Sequence, residues 1–202
     1  METTFTEAQF EGFPPEFVDF LFSLKFKNTL AQLPENKEVY KELINKPLIL
    51  LFNNLSHTAL SVSETLITRP SKCVSSMYAD MRFSREAPLK EYMYIRFREP
   101  FSSKDILGLY FDMGYQHYSC GIRIYKQTSA GMDKIRKSAL ANKEAFIKEL
   151  SAMNDIGMEI KGDKYAKDRY PNEKNETLKE LLNSRNFYIG RDYEVGNSVF
   201  NG

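Results

Sequence analysis

Tyr92-Met93-Tyr94-Ile95-Arg96-Phe97-Arg98 decides the class of the fold. Its side chains alternate in character one by one, which is the period of an extended strand whose successive residues face opposite ways. Met93, Ile95 and Phe97 are expected on one face, and Tyr92, Tyr94, Arg96 and Arg98 on the other. Two further runs repeat the pattern. In residues 107–113, Leu107, Leu109, Phe111 and Met113 alternate with Gly108, Tyr110 and Asp112; in residues 120–125, Cys120, Ile122 and Ile124 alternate with Gly121, Arg123 and Tyr125. Pro100 and Gly114 break the chain between the runs. Connections this short favour antiparallel pairing, in which one face is buried and the other wet. The wet face would be lined with Tyr and Arg.

The flanks read as helices. Phe13-Pro14-Pro15-Glu16 is a helix start, because the first turn leaves its N–H groups unpaired and proline has none to lose. Phe17, Phe20, Leu21 and Leu24 then form an apolar stripe at helical spacing. A second helical stretch from about Asn36 keeps that rhythm through Tyr40, Leu43, Ile44, Leu48, Leu51 and Leu55. Pro47 is expected to kink it or to start a new helix. Residues 73–78 read as extended, and Ala87-Pro88 marks a turn. Beyond the strands, residues 132–153 read as one long amphipathic helix, with Met132, Ile135, Ala139, Leu140, Phe146, Ile147 and Leu150 on its apolar side. Leu178, Leu181 and Leu182 suggest a short helix in the tail, and residues 187–189 a brief strand. With no internal repeat, low-complexity tract or linker, residues 1–202 are expected to form a single domain. Its expected class is α+β: N-terminal helices, a central, mostly antiparallel β-sheet of three or more strands, and the long amphipathic helix packed on the apolar sheet face.

With 42% apolar residues, a chain of 202 can bury a proper core, and many of its 15 Phe rings belong there. The net charge of +1 gives no global pull toward nucleic acid or membrane. Locally the balance is uneven. Residues 69–143 hold 14 Lys and Arg against 7 Asp and Glu, whereas residues 1–68 hold 5 against 9 and residues 144–202 hold 9 against 11. Positive potential is therefore concentrated in the strand-bearing middle. Cys73 and Cys120 form no CxxC pair and read as reduced thiols. The first 24 residues carry acids and no Lys or Arg, the opposite of a signal peptide's basic start. The longest apolar run, residues 47–52, is far too short to span a bilayer. A soluble, cytoplasmic protein without a membrane partner is expected.

Several chemistries are disfavoured. His57 and His117 are the only histidines, so a tetrahedral zinc site, which needs about four closely spaced Cys or His ligands, is not expected. There is no GxSxG elbow, Walker loop or GxGxxG, and no cofactor is expected. The Met132-to-Met153 stripe is core packing, and His57 reads as an ordinary surface or core histidine. His117 borders the Tyr/Arg strand face, where an imidazole titrating near neutral pH could carry a proton. Asp80 and Arg82, two apart, would share one face of an extended segment with Phe83 opposite. A carboxylate there would hold the guanidinium fork in an orientation suited to phosphate or carboxylate. Lys90, Arg96 and Arg98 add positive potential, while Tyr92, Tyr94 and Tyr110 offer flat apolar surface with hydroxyl tips. The plainer reading of the same residues is a salt bridge pinning a loop beside a solvated sheet face.

A wider pattern joins these segments. Phe10-Glu11-Gly12-Phe13-Pro14-Pro15 is followed by Lys37, Tyr40 and Pro47, then by Asp80-Met81-Arg82-Phe83-Ser84 with Pro88 and Lys90. Gly108, Tyr110, Gly121 and Tyr125 fall in the strand runs, Arg136 in the following helix, and Tyr170-Pro171, Leu181-Leu182 and Arg185 near the end. From about Phe10 to Arg191 the chain resembles the domain-of-unknown-function family 2461 (DUF2461), a family of conserved hypothetical proteins. The opening GFPPE and central D-x-R-F-S segments are the most specific parts. The resemblance brings no activity, substrate or cofactor with it. It implies an Arg where this chain has Ala79, a Tyr where it has Leu89, and an Asn-Asn pair followed by Arg and Trp where it has Lys27-Asn28, Leu30 and Gln32. Any polar site the family builds from those groups is thinned here.

Three functions compete. The first is binding of an anionic small molecule on the Tyr/Arg sheet face, drawn from Asp80, Arg82, Lys90, Arg96 and Arg123 with Tyr92, Tyr94 and Tyr110. Were it an enzyme, a metal-independent hydrolase or transferase fits best, with Arg82 as anion clamp, Asp80 as its orienter or a base, and His117 as proton carrier. The second is a module for single-stranded nucleic acid, disfavoured by the near-neutral charge and the lack of an RNP-type motif. The third is a protein-interaction or structural domain without catalysis, its protein partner unknown.

Overall fold

Met93, Ile95 and Phe97 are buried and the residues between them half-exposed, so the alternation that marks this strand also orients it. The computed structural model describes residues 9–80, 82, 86–100 and 104–196. Its elements in chain order are α1 (Glu16–Ser23), α2 (Leu33–Tyr40), a π-helical turn (Lys41–Asn45), α3 (Lys46–Val62), α4 (Pro70–Cys73), β1 (Met93–Arg98), β2 (Ile106–Met113), β3 (His117–Tyr125), α5 (Ser129–Ala141), α6 (Lys143–Asp155), β4 (Glu159–Lys161), α7 (Glu176–Leu182) and β5 (Tyr188–Glu194). The strands form one antiparallel sheet in the order β1-β2-β3-β5-β4, so the fold is α+β. The chain divides into two compact units: Met1–Phe97 with Tyr110–Ser119 and Asp192–Gly202, and Arg98–Leu109 with Cys120–Arg191.

In the first unit, Phe13, Phe17, Leu21 and Leu24 are all buried, and the rings of Phe13 and Phe17 pack at 5.2 Å. Pro47 explains the π-helical turn. It has no N–H to offer the carbonyl of Leu43, and its ring would collide with that oxygen. Widening the turn just before it removes the conflict and leaves the proline in the first turn of α3, where it is tolerated. The apolar stripe survives the change of pitch, since Tyr40, Ile44, Leu48 and Phe52 are all buried, and Phe52 stacks on Phe97 at 5.3 Å. The segment expected to be extended from residue 73 begins instead with the helical turn of α4; the chain then straightens, and Val74 bridges Ile95 while Tyr78 bridges Leu89. The side chain of Asn28 completes that region by pairing with a backbone. Its Nδ2 donates to the Leu89 carbonyl at 2.8 Å and its Oδ1 accepts from the Leu89 N–H at 3.1 Å. Leu89, where the resemblance implies a tyrosine, is 2% exposed.

In the second unit, the single helix expected over residues 132–153 is two. Asn142, at φ −123° and ψ 45°, separates α5 from α6. Its Nδ2 and its backbone N–H both donate to the Ser138 carbonyl, and its own carbonyl accepts from Phe146 N–H. Both backbone bonds keep the helical spacing of four residues, so the break lies in the dihedral angles of Asn142, whose side chain adds a local bond to the Ser138 carbonyl. The apolar positions still serve one core: Ala139, Leu150, Ile160, Leu178, Leu181 and Leu182 are buried together, with Ile135, Phe146, Ile147 and Ile189 packed against them. Asp105 sets the start of α5. Its carboxylate accepts from the N–H and the hydroxyl of Thr128, whose oxygen in turn accepts from Gly131 N–H at 2.9 Å.

The strand β2 has the opposite phase from that expected as far as Phe111, beyond which Met113 is buried as expected. Ile106, Gly108 and Tyr110 are buried, whereas Leu107, Leu109 and Phe111 are half-exposed. A strand's period is fixed by its backbone, but which face meets the core depends on its neighbours. Tyrosine can take the buried side when its hydroxyl finds a partner, and Tyr110 shares a hydrogen bond with Ser119 Oγ. The strand expected at residues 187–189 runs through Tyr188–Glu194, and β4, which pairs with it through Ile160 opposite Ile189, went unread.

Candidate functional site

Tyr94 and Arg96 alternate with Met93 and Ile95 along β1 and so occupy the opposite face, with Tyr92 just before the strand; Lys90 lies beyond the bend at Glu91 and reaches the Tyr94 ring with its side chain. Tyr94 is the centre. Its backbone is held by Ser75, its N–H donating to Ser75 Oγ at 3.1 Å and its carbonyl accepting from Ser75 N–H at 2.9 Å. The Arg96 guanidinium lies over the Tyr94 ring, with Cζ 3.8 Å from the centroid, and Lys90 Nζ stands 5.4 Å from the same centroid. Cations are drawn to the negative face of an aromatic ring.

Arg96 is incompletely paired. Arg96 Nη2 donates to Asp112 Oδ1 at 3.3 Å, a long bond, and Arg96 Nε is buried with no hydrogen-bond partner. Burial, and then repulsion from Arg96, holds the Lys90 ammonium below the usual lysine pKa. Two cations therefore share one ring, and Asp112 pairs with Arg96. The Tyr92 ring is 6.5 Å from that of Tyr94, tilted by 28°, and is 52% exposed.

The other candidates have partners of their own. Asp80 and Arg82 do pair: Arg82 Nε donates to Asp80 Oδ1 at 2.9 Å, Nη2 donates to Oδ2, and the Arg82 N–H donates to Oδ1 at 3.1 Å. The Arg82 side chain, then its backbone N–H, holds the Asp80 carboxyl below the ordinary range. One edge of the guanidinium fork is thus engaged, and the Arg82 side chain is 82% exposed. Met81, Phe83 and Ser84 lie outside the described residues. Tyr110 is 6% exposed, its ring in the core rather than on an open face. His117 is exposed at the first position of β3, where its carbonyl accepts from Gly114 N–H. Arg123 belongs to the second unit and lies over the Tyr188 ring at 5.1 Å.

Sequence reasoning missed two groups at this face. Asp112, the carboxylate nearest Arg96, was visible only as an alternating residue of β2, and its role needs the pairing register. Tyr40 was read as core, and it is; but its hydroxyl is buried without a partner, and burial, then Tyr92, pushes its pKa up.

The second unit contains a cavity of about 350 Å³ lined by Phe146, Leu150, Met153, Leu181, Phe187 and Ile189 among others. It is apolar and contains none of the candidate residues. Among the described residues, no three His, Cys, Asp or Glu side chains gather as metal ligands would, and no helix is long and apolar enough to cross a membrane.

Helices before and after an antiparallel sheet define an α+β fold, and β1 carries a cationic, tyrosine-lined face. The family model described as conserved hypothetical protein (DUF2461) matches residues 16–201, and the chain belongs to that family. The match takes in the Asp80–Ser84 segment and begins just after Phe10–Pro15. No curated protein matches the chain.

Proposed function

We propose that the face formed by Lys90, Tyr92, Tyr94 and Arg96 binds an anionic small molecule, and that this is the domain's function. The observation that carries the reading is the pair of cations at the Tyr94 ring: an ammonium disfavoured by burial and by Arg96, and a guanidinium with a buried, unpaired Nε whose contact with Asp112 is long at 3.3 Å. An anion placed between the two cations would relieve their repulsion and supply the acceptor that Nε lacks. Asp80 and Arg82 are left out of it, because one edge of the Arg82 fork is already engaged by Asp80. The reading is one of binding; no catalytic step is assigned to Asp80, Arg82 or His117.

Thermal unfolding in the presence of phosphate, sulfate and small carboxylates tests it. A ligand at ~100 times its dissociation constant stabilises the folded state by about 2.7 kcal/mol. Lys90→Met and Arg96→Gln are each expected to weaken binding about tenfold, the loss of one charge-assisted hydrogen bond, and added salt should weaken it further. No shift with any of these anions, or a shift unchanged in both variants, would overturn the reading.

A second reading, a protein-interaction surface, has its own observation. Phe22 and Phe26 are 47% and 73% exposed, packed on each other at 5.6 Å, and Phe22 also meets the Tyr115 ring at 5.4 Å. Phe26→Ser would weaken capture of a partner under this reading and leave anion binding unchanged.

A further inference from the structure

The cavity of the second unit shares no residue with the anion-binding face and stands or falls apart from it. One stripe of α6 lines it. Ala145, Phe146, Glu149, Leu150 and Met153 recur at the three- and four-residue spacing of a single helix face. Of these only Leu150 is buried; Phe146 and Met153 are half-buried, and Ala145 and Glu149 are exposed. The cavity therefore opens to solvent on the side of Ala145 and Glu149, and its apolar wall is left partly uncovered by the fold.

Water is a poor occupant. A trapped water needs two to four polar partners, and an apolar cavity of about 150 Å³ takes up benzene instead. Apart from Asn142 and Glu149 the lining is apolar, and Asn142 Nδ2 already donates to the Ser138 carbonyl. At about 350 Å³ the space holds roughly a dozen non-hydrogen atoms. Glu149 is the charged residue of the lining, and no Lys or Arg joins it among the described residues. A negative charge at the mouth favours a cationic head on the ligand and disfavours a carboxylate.

We propose that this cavity binds a small amphiphilic amine, its apolar tail against Phe146 and Phe187 and its ammonium beside Glu149. The tail would cover apolar surface that is otherwise half-exposed, which drives binding, and the carboxylate selects the head.

4-Phenylbutylamine, 4-phenylbutanol and 4-phenylbutanoate carry one tail and three heads. Titrating each while following the Met153 methyl by NMR reads the cavity, so an anion held at Lys90 and Arg96 is not counted. The amine is expected to bind at least about threefold more tightly than the carboxylate, the scale of one exposed ion pair, with the alcohol between them. Glu149→Gln should remove that order. Ala145→Phe places a large ring at an exposed position of the mouth and should weaken all three about tenfold, with its thermal midpoint showing that it is folded. If the three heads bind alike, or the carboxylate binds best, the amine is wrong and the proposal is overturned. A Met153 methyl that responds to none of them, or a response indifferent to Ala145→Phe, overturns it as well.

Discussion

Arg136→Ala is expected to lower the unfolding free energy by about 3–5 kcal/mol, the largest effect of any single substitution considered. The residue is 5% exposed on α5, and its guanidinium is used on every side. Nε donates to the Leu182 carbonyl at 3.0 Å, Nη2 donates to the Ser184 carbonyl, and Nη1 donates to Asp133 at 2.7 Å. Both carbonyls lie at the C-terminal end of α7, where a helix leaves its last oxygens unpaired and its dipole favours a positive charge. The guanidinium also faces the Tyr165 ring at 5.5 Å. Truncation would strand both buried acceptors and open a void between α5 and α7. Arg136→Lys keeps the charge but not the fork, and should recover only part of the loss. Urea unfolding of the three proteins checks this; a loss below about 1 kcal/mol in the alanine variant would show that water can replace the guanidinium.

Gly121→Ala should cost about 3 kcal/mol by a different route. A Cβ on Gly121 would fall 2.1 Å from the Ile189 carbonyl oxygen and 2.7 Å from Gly190 Cα. Those atoms are backbone of β5 and cannot swing aside as a side chain could, so β3 and β5 must separate locally. Gly114→Ala is the control, because its nearest neighbours would be 3.9 and 4.0 Å away and a change within about 0.5 kcal/mol is expected. Equal effects at the two glycines would mean that Gly121 is not a point of close strand approach.

What could be read in advance follows from where each feature is encoded. The orientation of β1 is local, since Met93, Ile95 and Phe97 are apolar and their neighbours are not, and it emerged intact. The phase of β2 is not local: Leu107, Leu109 and Phe111 are the more apolar set, yet Tyr110 is buried, its hydroxyl sharing a hydrogen bond with Ser119 Oγ. The break at Asn142 lies in one residue's dihedral angles, which an apolar stripe does not reveal. Residues 159–161 of β4 are too short for a period-two pattern to stand out, and pair with β5 only because the chain brings them there. The candidate site divides the same way. The spacing of Tyr92, Tyr94 and Arg96 was visible as a strand face. Asp112 and the unpaired Arg96 Nε depend on strand pairing and burial.

The crowding of two cations at the Tyr94 ring is most directly measured by following the Lys90 side chain by NMR through a pH titration, with and without phosphate. Lys90 should titrate below an ordinary lysine, because burial and Arg96 disfavour its charged form. Phosphate should raise that midpoint, since the bound anion favours the ammonium and binding takes up a proton wherever Lys90 was partly neutral. A Lys90 that titrates as a normal lysine and does not respond to phosphate would contradict the account.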